Sequence, residues 1–94
     1  MTLLLKDPDA VLDYSIDWGA EYLLGTDLIA DSQWSVVPDE PDGVSVAGSD
    51  FDATTSTVKA ADGSPGRIYR LVNEVVLDSG RIDSRSIVLR VEKR

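Results

Sequence analysis

Four groups of carboxylates stand close enough along the chain to raise a chemical role: Asp7 with Asp9, Asp13 with Asp17, Asp39 with Glu40 and Asp42, and Asp50 with Asp52. Three of these groups lie in loop-like sequence, where calcium is the first ligand to weigh. Calcium takes about six to eight oxygens converging from a shaped loop, and the spacing of an EF-hand is absent here. Short acidic groups of this kind read as solvated loop residues, so no metal is expected. Asp13 and Asp17 share one face of a strand-like stretch and could be taken for an acid and a base. Four residues of strand separate them by about 13 Å. That exceeds the roughly 5–5.5 Å of a retaining carboxylate pair and the roughly 6.5–9.5 Å of an inverting one.

The chain has no histidine and no cysteine. Histidine is the usual general base near neutral pH and the commonest transition-metal ligand. Without it the serines have no ordinary activating partner. Gly63-Ser64-Pro65-Gly66 has too few glycines for a phosphate cradle and precedes no helix, so it is read as a turn. Neither catalysis nor a cofactor is expected.

Nine basic against seventeen acidic side chains leave a net charge of −8. Such a surface repels phosphate backbones, so nucleic acid is not an expected partner. Leu3-Leu4-Leu5 is too short for a signal segment or a membrane span. The expectation is a soluble protein made in a cytoplasm, without a membrane partner. Ninety-four residues suit one domain, burying about 60–65% of the unfolded chain's surface without a staple.

The elements that position these residues read as β throughout. Leu12, Tyr14, Ile16 and Trp18 alternate with Val11, Asp13, Ser15 and Asp17, a half-buried strand. Residues 19–24 suit a short helical turn, stopped by Gly25. A strand is expected from about Asp27 to Val37, then a loop through Pro38, Pro41, Asp42 and Gly43. Val44 and Val46 suggest a brief strand, and residues 53–60, rich in Thr and Ser, a strand near a sheet edge. Residues 62–66 form a second loop. Tyr69, Leu71, Asn73, Val75 and Leu77 share one face of a long strand from Arg67. Asp78-Ser79-Gly80 is a hairpin loop before a return strand from Arg81 to Glu92.

About seven strands in one domain spanning residues 1–94 predict an all-β, immunoglobulin-like (fibronectin type III-like) antiparallel sandwich. Tyr69 fits the tyrosine corner of such domains, its hydroxyl bonding backbone in the preceding loop, although an ordinary core tyrosine would give the same pattern. Tyr14, Trp18, Trp34 and Tyr69 are the expected core aromatics.

Candidate contacts lie near the chain ends. Leu3, Leu4 and Leu5 suit either the first strand of the sandwich or an arm within residues 1–6 that adds to a partner's sheet edge. Arg81, Arg85, Arg90, Lys93 and Arg94 concentrate in the last strand and tail. They suit either an edge strand guarded by positive charge or a surface meeting the acidic face of a neighbouring copy or partner.

Lys6-Asp7-Pro8 through Asp13-Tyr14, Asp17-Trp18, Tyr22-Leu23, Asp27-x-Ile29 and Ser32-x-Trp34-x-Val36 occur together and in order. With Gly80-Arg81-x-Asp83-x-Arg85-Ser86-Ile87 they resemble small phage and prophage proteins described as fibre–tail adaptors or minor virion proteins. Residues 38–61 depart from that pattern, and Gly25-Thr26 looks like an extension. The resemblance implies a virion component present in several copies around the tail or neck, assembled in the bacterial host. It carries over no site residue.

The leading expectation is therefore a non-enzymatic structural module joining tail to fibres or other tail and neck parts. The alternative is a carbohydrate- or cell-surface-binding sandwich. That role calls for solvent-facing aromatics, whereas these four fall on core faces and leave Tyr22 as the main loop aromatic.

Overall fold

Alternation becomes strand wherever the chain carries it, because one apolar face can then be buried while every backbone group pairs within a sheet. The computed structural model describes residues 3–21 and 27–93. Its elements are β1 (Leu3–Lys6), β2 (Leu12–Asp17), α1 (Trp18–Glu21), β3 (Ile29–Val37), β4 (Val44–Phe51), β5 (Thr55–Asp62), β6 (Ile68–Leu77) and β7 (Ile82–Val91). They form two sheets, ordered β1-β7-β6-β3 and β2-β5-β4. The β1–β7 pair is parallel and the others are antiparallel. Tyr22, expected as a loop aromatic, lies outside the described residues.

The structure departs from the sequence expectations in five places. The β1–β7 pair is parallel, against the expectation of an antiparallel sandwich, because the first and last strands run the same way side by side. Trp18 opens α1 instead of ending the β2 stripe, yet its indole is still buried, 1% exposed. The brief strand at Val44 continues to Phe51, because a register shift between Val46 and Gly48 absorbs a residue and lets pairing resume. β5 is the centre of its sheet, not an edge. Its hydroxyl-rich composition reflects an outer face turned to solvent, while Ser56, Val58 and Ala60 point inward and are buried. β1 covers β7 from Val88 to Val91, so Arg90 is not on an edge, whereas Arg85 lies on the part of β7 that β1 does not pair.

The β6–β7 hairpin forms where expected. Gly80 takes φ +89°, a conformation that glycine adopts without a Cβ clash, and its N–H donates to the Leu77 carbonyl at 2.8 Å. β6 then alternates strictly, with Tyr69, Leu71, Asn73, Val75 and Leu77 buried. One core cluster gathers Tyr69, Leu71, Leu89 and Val91 against Val44, Val58 and Ala60. The other gathers Ile16, Trp18, Ile29, Val75 and Leu77. Each fully buried leucine or valine contributes about 1.5–3 kcal/mol relative to an exposed one. Trp34 and Ile87 pack against both clusters.

Candidate interaction surface

The expected core aromatics divide in two. Trp18 and Tyr69 are buried, while Tyr14 and Trp34 are half-buried and pack on the core. Trp34 Nε1 donates to Ser56 Oγ at 2.9 Å. The Tyr69 hydroxyl donates to Glu40 Oε1 at 2.7 Å and accepts the Ser64 N–H at 3.1 Å. It thus ties β6 to the loop before it and to the loop after β3. The Tyr14 hydroxyl is buried without a partner among the described residues, and burial raises its pKa above the ordinary 10.0.

The acidic groups serve loops. Asp52 Oδ1 accepts the N–H groups of Thr54 and Thr55 at 2.9 and 2.8 Å. These backbone donors favour the anion and hold its carboxyl below the ordinary 3.8. Asp7 accepts the Asp9 N–H at 2.8 Å. Glu40 pairs with Arg67 at 3.0 Å while accepting from Tyr69. Asp13 and Asp17 stand on β2 opposite Lys59 and Thr55 of β5.

The candidate contact residues near the chain ends are brought partly together. Leu3–Lys6 is an edge strand whose Leu3, Leu4 and Leu5 stand opposite Val88, Leu89 and Arg90. Leu4 packs on the core, whereas Leu5 is 46% exposed. Leu5 and Arg90 are therefore neighbours. Arg90 also pairs with Glu92 at 2.8 Å. Arg85 is exposed on β7, opposite Asn73. It lies five residues from Arg90, about 17 Å along the strand and on the other parity. Lys93 is exposed just past β7, and Arg94 lies outside the described residues.

Sequence reasoning missed Lys6 and the centre of the outer face. Lys6 sits at the same inward parity as Leu4 and is buried. Its ammonium donates to the carbonyls of Asp62 at 2.6 Å and Asp7 at 2.9 Å. Burial lowers its pKa, opposed by Asp62, Asp7 and Asp9. On the outer face of the four-stranded sheet, Ile68 stands opposite Arg90, and Arg70 lies between Val88 and Val37. Val37, Ile68, Arg70, Val72 and Val88 line a shallow groove of about 500 Å³. A second groove of about 300 Å³ opens on the other sheet beside Gly48, with Asp13, Asp50, Thr57 and Lys59 around it.

This is a surface of side chains on a rigid two-sheet body. A family model described as podophage GP4 fiber-tail adaptor protein gp77 matches residues 6–90. The chain belongs to that family. The fiber-tail adaptor match covers β2 to β6 in full, β7 but for its last residue, and only Lys6 of β1. It includes residues 38–61, where the sequence departs from the motifs that carry the resemblance. A fiber-tail adaptor is a structural component of the phage tail, and its role calls for binding other tail or fibre proteins. No curated protein matches the chain.

Proposed function

We propose that this protein joins tail to fibres, or to another tail or neck component, through protein–protein contacts and without catalysis. The family match over residues 6–90 carries this reading. Several copies in each particle, assembled in the host cytoplasm, fit such a role. The two-sheet body supplies stiffness, and contacts come from β1 and the basic end of the chain: Leu3 to Leu5, Arg85, Arg90, Lys93 and Arg94. The adjacency of Leu5 and Arg90 supports this choice. A net charge of −8 disfavours nucleic acid as a partner. The packing of Tyr14 and Trp34 on the core, with Trp18 and Tyr69 buried, favours the adaptor over a sugar-binding module.

We also infer the immunoglobulin-like plan. Strands three, six and seven share one sheet, and two, four and five the other, as the C, F, G and B, D, E strands of that fold do. The Ser64–Tyr69 bond near the start of β6 adds support.

The adaptor reading is tested by deleting the gene from the phage and examining purified particles. Particles with tails but without attached fibres or the adjoining tail part are expected. A full complement of all other virion proteins in the mutant particles would refute the role.

A further inference from the structure

We propose that the outer face of the β1-β7-β6-β3 sheet, between Leu5 and Val37, docks a second virion protein whose matching surface is apolar and flanked by carboxylates. This rests on the adaptor reading and names the surface and the chemistry of its partner.

The face is apolar where a solvent-facing sheet would be polar. Ile68 and Val37 are 54% and 55% exposed, close to Leu5 at 46%. Strand register sets them in adjacent rows across four strands, with Arg90 between Leu5 and Ile68, Arg70 between Val88 and Val37, and half-buried Val72 in the next row. Neighbouring strands lie about 4.8 Å apart, so the patch is about 15 Å wide. Exposed apolar side chains interleaved with arginines have the composition of an interface core.

Charge selects the occupant. The chain as a whole is acidic, yet this end of the face carries Arg70 and Arg90, the latter already paired with Glu92. Arg70 makes no ion pair with any described residue. A partner with carboxylates around an apolar centre meets both features. A second copy does not. A two-fold pairing of the patch with itself would bring the arginines of one copy against the same basic patch of the other. Head-to-tail stacking would set Ile68 against the outer face of the other sheet, whose centre carries Asp13, Ser15, Thr57 and Lys59, with Val11 exposed only at its margin before β2.

The test uses particles purified from a phage lacking this gene, incubated with purified protein and sedimented. Wild type and Ile82→Glu should bind alike. Ile82 is 66% exposed on the same face, opposite Val76 and about 27 Å along β6 from Ile68. Ile68→Glu and Val37→Glu should each lose at least about tenfold in affinity, one factor of ten being about 1.4 kcal/mol. Arg70→Glu, at an exposed site that can be changed without touching the core, should weaken binding similarly and carries the test if an apolar variant misfolds. Wild-type binding that survives unchanged in Ile68→Glu and Arg70→Glu would overturn the docking face while leaving the adaptor reading intact. No wild-type binding would overturn both. Sedimentation equilibrium of the protein alone should give a monomer; a dimer abolished by Ile68→Glu would make the occupant a second copy and overturn the proposal.

Discussion

The indole Nε1 of Trp18 donates to Oδ1 of Asn73 at 2.8 Å, joining α1 to β6 across 55 positions of sequence. Asn73 in turn donates through Nδ2 to Ser32 Oγ at 2.8 Å and to the Gln33 carbonyl at 3.0 Å. Ser32 and Ser56 hydroxyls lie 2.6 Å apart, and Ser56 accepts from Trp34. Because Ser32 and Trp34 belong to β3 and Ser56 to β5, these bonds cross from one sheet to the other. A polar chain thus runs between the two apolar clusters, and its geometry fixes how the sheets face each other.

Removing Asn73 takes the acceptor from the buried Trp18 Nε1 and a donor from both Ser32 Oγ and the Gln33 carbonyl. Asn73→Ala should cost at least about 3 kcal/mol in chemical denaturation, since each unsatisfied buried polar group costs about 1–3 kcal/mol. A double-mutant cycle with Trp18→Phe should give a coupling above about 0.5 kcal/mol. Additive losses would mean that the Trp18–Asn73 bond contributes little.

Trp34 is half-buried, against the expectation of a fully enclosed core residue. Trp34→Ala should therefore cost about 2–4 kcal/mol, toward the lower part of the range for large aromatics. A loss below about 1 kcal/mol would contradict its packing against both clusters.

Tyr69→Phe keeps the buried ring and removes only the bridge from Ser64 to Glu40. A loss of about 1–2 kcal/mol is expected. Faster amide hydrogen exchange at Ser64 should accompany it, and unchanged exchange would count against the bridge.

Asp52 gives a pH signature. Its pKa is lower in the folded chain than the ordinary 3.8, because Thr54 and Thr55 donate to the anion. Its contribution to stability is therefore present above pH 3.8 and disappears as pH falls through the folded value. Carboxyl NMR should place its titration below 3.8. In Asp52→Asn, the stability difference from wild type should shrink on acidification through that window; a difference constant with pH would refute the account.

Local alternation made β2, β3, β6 and β7 legible, and turn chemistry placed the hairpin at Gly80. Sheet order was not legible, because it depends on pairings such as β1 with β7, between opposite ends of the chain. That is why β5 reads as an edge when it is the centre of its sheet, and why β1's cover of Val88–Val91 in β7 does not show in the sequence. The interaction surface was half legible. Leu5 and Arg90 stood out by type, but Ile68, Val72 and Val88 did not. They occupy the parity that a half-buried strand gives to polar residues, and the apolar character of both faces of β6 was the signal. Lys6 was missed because its inward parity shows only once β1 is known to be a strand.

Electron cryo-microscopy of the intact particle tests the central claim most directly. The account predicts this domain at the junction of tail and fibres or an adjoining tail part. There the outer face of its four-stranded sheet is covered by a different protein, with Ile68 and Val37 in apolar contact and a carboxylate near Arg70. A particle in which the domain is absent, or in which that face is open to solvent while other surfaces make the junction, would contradict it.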